Sequence, residues 1–320
     1  MKSRIAVYFC ILLSFAVQSA FATSGSSKDD AVISELYKTI AAAHSSDMST
    51  RVAAISEYFM GKPYLLGALG DGPDSQFDQN PLYRIDAFDC ETFVSTVIAL
   101  AHADNLTQFR QQINAVRYRN AIPNYFQRNH FMSVDWNINN NHKGYIKDIT
   151  NRFTDSNGKP IAAVANAIIN KPAWYQHKTI ADIRSLTPIS DQQLQQKLAQ
   201  LKQLGMQQAQ QRGKTLYLPL KNLFSASGQP NQFIFKQIPS GSVIEIVRPN
   251  WHLETKIGTA LNVSHVGLAI RTQQGLMFRQ ASSTQKKVID VPLVDYLKSY
   301  LSSPTVKGIN VQLVTGLGAS

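Results

Sequence analysis

Cysteine is nearly missing from this chain. Two thiols in 320 residues, Cys10 and Cys90, cannot staple a protein of this size, which excludes a disulfide scaffold. Acidic residues are scarce too: Asp and Glu number 21 against 32 Lys and Arg. The resulting formal charge of +11 is spread without any basic tract. That argues against a nucleic-acid partner and suits an anionic polymer outside the cytoplasm. Beyond the first two dozen or so residues no apolar run is long enough to span a bilayer, so a multi-pass membrane protein is excluded. There is no His-x-x-x-His pair and no clustered His and carboxylate spacing, so neither a metal nor a cofactor is expected. Gly-x-Ser-x-Gly and both common phosphate-cradling glycine loops are absent as well. What is present, 44% hydrophobic residues with 15 Phe and 12 Tyr, suffices for a buried core.

The first 22 residues read as a secretory signal. Lys2 and Arg4 precede the apolar stretch Ile5 to Val17, and Ala20-Phe21-Ala22 supplies the small residues a signal peptidase accepts. Cleavage is expected after Ala22, making the protein periplasmic or secreted without stable membrane insertion. Residues 23–320 then form one domain, with Cys90 as the sole remaining thiol. Such a thiol is either buried and inert or open to chemistry.

Residues 23–30 are small and polar and read as a loose terminus. Val32, Leu36, Ile40 and Ala43 recur at helical spacing. A second helix starts near Asp47, carries Val52, Ile55 and Phe59 on one face, and stops at Gly61. Residues 67–85 read as a loop. Another helix begins at Asp89, with Cys90, Phe93, Val94, Val97, Ile98 and Ala101 on one stripe. Further along, the period changes. Residues 243–247, 265–270, 276–279, 287–290 and 309–314 are short, β-branched and turn-bounded, and predict an antiparallel sheet. Helices first and strands later give an α+β layout. The middle, about residues 110–238, holds a Gln-rich stretch whose Leu194, Leu198 and Leu201 predict a surface helix.

The first turn of a helix favours a thiolate, and Cys90 directly follows the expected cap. Asp89 opposes ionisation, so a cationic imidazole is needed. His265, in Ser264-His265-Val266-Gly267, stands at the start of an apolar strand, and Gln280 follows on the next strand as the group that would orient it. From spacing alone His130 or His252 would serve as well. Tyr64 reads either as a second oxyanion donor or as core packing. Arg128, His130 and Trp136 read either as a substrate wall or as a buried polar network.

Resemblance narrows the choice. Gly61-Lys62-Pro63-Tyr64-Leu65-Leu66-Gly67 ahead of Asp89-Cys90 resembles the signature of the NlpC-type cell-wall peptidases, a papain-like superfamily. The strings Phe88 to Val94, Arg128 to Phe131, Asp135-Trp136, Ser264 to Gly267 and Ala281 to Ser283 resemble the bacterial family described as N-acetylmuramoyl-L-alanine amidase-like. The resemblance implies a papain-like α+β core of N-terminal helices on an antiparallel sheet, with a large family-specific insertion in the middle. It implies hydrolysis of a peptidoglycan amide, with peptidoglycan or a muropeptide as the partner. It gives Cys90 as nucleophile, His265 as base and Gln280 as third polar residue. Asp89 and Ser264, which flank the pair, join Tyr64, Arg128, His130 and Trp136 as oxyanion or substrate-binding candidates. Two alternatives stand beside this reading: acyl transfer or lipid or thioester hydrolysis on the same fold, and a non-catalytic cell-wall binding module.

Overall fold

The computed structural model describes residues 25–42 and 47–316. The expected signal segment and Ala43 lie outside the described residues. Helix α1 (Gly25–Ala42) begins well before the loose terminus expected from composition would allow. Tertiary contacts hold that polar turn: Asp29 is buried, and Asp30 pairs with Arg110 at 2.5 Å. The buried face of α1 is Ile33, Leu36 and Tyr37.

Helix α2 (Met48–Tyr58) is capped by Asp47, which accepts from the Thr50 N–H, and it buries Val52 and Ile55. Phe59 follows fully buried, and the chain turns away at Gly61 with φ +80°. Helix α3 (Cys90–Ala101) exceeds the single apolar stripe read from sequence, because every residue from Thr92 to Ala101 is buried. An all-round apolar helix belongs in the centre of a protein, and α3 lies there between α2, α4 (Leu106–Arg117) and the sheet.

The sheet is antiparallel, with β1 Ile146–Asp148, β2 Ala163–Ile169, β3 Gln211–Pro219, β4 Ser242–Trp251, β5 Leu261–Thr272, β6 Gly275–Ser282, β7 Lys287–Pro292 and β8 Gly308–Val314. Their order is β2-β3-β8-β4-β5-β6-β7, with β1 also paired to β8. All five strand segments expected from the sequence are present. Strands β1, β2 and β3 come from the middle region, which therefore builds one side of the sheet as well as covering the site. Its other elements include α5 (Asn137–His142), α6 (Lys171–Gln176) and the Gln-rich helix α7 (Asp191–Gly205). Leu201 of α7 is fully buried, while Leu194 and Leu198 are partly so.

Both faces of the sheet are covered. Val243, Val266, Leu268 and Ile270 join the core of α1 to α4, whereas Ile244, Ile246, Ala269 and Phe278 join a second core containing Leu293 and Leu297. Double coverage explains why β4 reads as a nearly continuous apolar run instead of an alternating one.

Candidate active site

The N-terminus of α3 is fixed by one carboxylate. Asp89 Oδ1 accepts the Thr92 N–H at 2.9 Å, and the Thr92 hydroxyl accepts the Asp89 N–H at 2.9 Å, a reciprocal capping box. Asp89 Oδ2 accepts the Gly67 N–H at 3.0 Å. Gly67 has φ +64°, a left-handed conformation that favours the motif glycine. Leu65 donates to Phe88 and Phe88 donates to Pro63, which sets Tyr64 alongside the residues leading into Cys90. Tyr64 is half-buried against the main core.

The imidazole comes from β5. Ile246 faces His265 but Val247 faces Val263, so Ser264 is an extra residue in the ladder. Such a bulge re-aims side chains. His265 Nε2 is hydrogen-bonded to Gln280 Oε1. A carboxamide oxygen only accepts, so Nε2 carries the proton and Nδ1 is left as the acceptor. The β5–β6 ladder begins at Leu268 and Arg279, just past this pair. The N-terminal end of α3 meets that gap: the Val266 N–H, one residue from His265, lies against the Cys90 sulfur. The Cys90 sulfur thus lies beside β5, one residue along the strand from His265, where α3 abuts β5 and β6.

The electrostatics differ from the sequence expectation of a preformed ion pair. Burial pushes the Cys90 thiol up to about 12, reinforced by Asp89, while the Val266 and Glu91 N–H groups oppose this. Burial lowers His265 to about 4 against the Gln280 hydrogen bond and the Asp89 charge. The resting pair at neutral pH is therefore thiol and neutral imidazole. The protein packed around the half-buried sulfur outweighs what a helix N-terminus offers.

A cavity of about 270 Å³ opens beside Cys90, lined also by Asp89, Glu91, Arg117, Arg128 and His130. Arg128 reaches it but is engaged, pairing with Asp71 at 2.6 Å and Asp78 at 3.0 Å. His130 Nε2 is bonded to the Tyr125 carbonyl at 2.7 Å, and its ring packs on Trp174 at 4.8 Å. Burial and the Arg128 charge keep that imidazole neutral. Trp136 corrects the expected substrate wall. It is fully buried, its indole N–H donates to Ser95 at 2.9 Å, and no ring face is open to a sugar. The Ser264 hydroxyl accepts from Arg248 at 3.0 Å. Glu91 and Arg117 were not singled out from the sequence. Glu91 lay inside a quoted motif, but Arg117 closes an ordinary amphipathic helix and carries no sequence signal. Among the described residues no group of three His, Cys, Asp or Glu side chains could hold a metal.

Comparison with known proteins bears on this geometry. A family model described as AmiA-like, N-acetylmuramoyl-L-alanine amidase-like, matches residues 54–303. A crystal structure of a Legionella pneumophila protein is 45% identical, with a TM-score of 0.87, covering 91% of this chain and 96% of that one. The structure of an N-acetylmuramoyl-L-alanine amidase from Bacteroides uniformis is 22% identical, with a TM-score of 0.57, covering 84% of this chain and 99% of its own; this likeness shows the fold. No curated protein sequence matches the chain.

Proposed function

The chain belongs to the AmiA-like, N-acetylmuramoyl-L-alanine amidase-like family, and from that membership we propose that it is a cysteine-dependent hydrolase cleaving an amide bond of peptidoglycan. The observation that supports the reading is that Cys90, at the start of α3, accepts the backbone N–H of Val266, the residue after His265, whose imidazole is hydrogen-bonded to Gln280. On this reading a helix presents the sulfur and a strand presents the base, as the resemblance to the papain-like superfamily implied.

The neutral resting pair sets the order of steps. His265 Nδ1 takes the thiol proton as the sulfur bonds to the substrate carbonyl carbon, so the base acts during attack. Charge develops on the carbonyl oxygen, where the Cys90 backbone N–H donates at the helix start and the Tyr64 hydroxyl adds a second donor. The imidazolium returns its proton to the amine nitrogen as the carbon–nitrogen bond breaks. Water, deprotonated by the same imidazole, then attacks the thioester, and the thiol leaves with the proton restored. Gln280 is a positioning residue: it holds Nε2–H and turns Nδ1 toward the sulfur.

The protein reaches its substrate by export, with cleavage after Ala22. N-terminal sequencing of the secreted form is expected to begin at Thr23. Mass spectrometry of muropeptides incubated with wild type is expected to show new fragments that Cys90→Ala does not make. Equal hydrolysis by that variant overturns the cysteine mechanism.

A further inference from the structure

Two charged groups on the cavity wall have no part in the hydrolytic scheme. Arg117, the last residue of α4, is 4% exposed. Its Nη1 donates to the carbonyls of Gly70 at 3.1 Å and Leu82 at 2.7 Å, and to the Tyr118 hydroxyl at 3.3 Å. Among the described residues no carboxylate lies within 4.0 Å of it, whereas its neighbour Arg128 has two. Arg117 Nε and Nη2 donate no hydrogen bond, yet neither is sealed in protein. Arg117 itself lines the cavity.

Glu91 stands nearby on α3. Its Oε1 accepts from the Ser95 hydroxyl, which in turn accepts the Trp136 indole N–H at 2.9 Å. That chain fixes the carboxylate and leaves Oε2 without a protein donor and open to the same cavity. Arg117 is the strongest charge acting on Glu91, although the two do not touch. A cation and a carboxylate held apart on one wall each lose hydration without gaining contact. A bound group that donates to Glu91 and accepts from Arg117 would supply the missing bonds. A lone ammonium would face Arg117, and a lone carboxylate would face Glu91, so opposed charges select a neutral group with both functions. Leu66 and Leu69 give the cavity its apolar walls.

We propose that Glu91 and Arg117 form a specificity pair that holds a neutral donor–acceptor group of the muropeptide next to the scissile bond. The group is a secondary amide or a sugar hydroxyl. This inference rests on the hydrolase reading for its substrate, and its test is arranged to be separable from it.

Calorimetric binding is measured on Cys90→Ala protein with two probes, a muramoyl tripeptide and the same tripeptide without sugar. Adding Glu91→Gln, or separately Arg117→Lys, is expected to weaken binding about tenfold or more, the cost of losing a charge-assisted hydrogen bond. Circular dichroism and Tm should match the parent. Weakening of both probes assigns the group to the peptide, and weakening of the sugar-bearing probe alone assigns it to the sugar. In the active enzyme Glu91→Gln is expected to raise KM with kcat within threefold. Folded variants that bind as the parent does overturn the pair, as does failure of both probes to bind Cys90→Ala. Absence of Cys90-dependent cleavage in wild type, with binding still sensitive to Glu91, overturns the hydrolase reading and leaves the pair standing.

Discussion

Cys90 and His265 carry opposite shifts with one main cause, the partial burial of both. Their protonation can be followed directly. Alkylation of Cys90 by iodoacetamide is expected to be slow near pH 7 and to climb about tenfold per unit of pH above it, as the small thiolate fraction grows. A rate flat across the acid-to-neutral range would instead reveal a preformed ion pair. The imidazole also leaves a mark on stability. The unfolded chain takes up a proton near the ordinary value of 6.5, whereas the folded site refuses it until about 4. Wild type therefore loses stability as pH falls through that window, and His265→Gln is expected to flatten this part of the urea-denaturation profile. Gln280→Ala should lower kcat about 10- to 100-fold with little change in KM, since it frees the imidazole to rotate. At this scale the residue types of the site were legible, because the motifs around Cys90 and His265 are local. Their charge states were not: burial is created by Tyr296, Phe278 and the loop after Gly61, which no local pattern connects to them. Trp136 was left open for a similar reason, since an aromatic beside an aspartate reads alike whether it faces ligand or core, and here it is the buried network.

Helix α3 was the easiest element to read, with cap, box and apolar run adjacent in sequence. Strands β4 to β8 were legible from short β-branched runs between turns. Strands β2 and β3 were not, because the alanines of Ala163–Ile169 and the polar start Gln-Arg-Gly-Lys of β3 carry little β preference; β2 gains its order from β3, and β3 also from β8. The bulge at Ser264 was equally hidden, although it aims His265. Asp89 offers a test at this level. Asp89→Ala removes the cap and should cost about 1 kcal/mol, or up to about 2, read from Tm or urea midpoints. Asp89→Asn keeps the cap but removes the charge that raises the thiol, so its Cys90 should alkylate faster than wild type at the same pH.

Across the whole molecule, the α+β layout followed from the order of helices and strands, but the middle region was read as an insertion. It contributes three strands, and Arg128 within it binds Asp71 and Asp78 of the loop that precedes α3. Deleting residues 120–230 is expected to give a chain without cooperative thermal unfolding by circular dichroism. Arg128→Ala leaves buried Asp71 with the Tyr118 hydroxyl and buried Asp78 with no cation nearer than Arg184 at 3.7 Å, and should destabilise by about 3 kcal/mol in urea titration. A loss below about 1 kcal/mol would mean that water reaches those carboxylates.

Asp89 makes two of these scales inseparable. One of its oxygens sets the first turn of α3 and the other anchors Gly67, a lining residue of the cavity. Fraying that turn therefore displaces Cys90 and loosens the cavity wall in the same event. Reactivity and fit share a single fastening, so selection acting on either will be felt by the other.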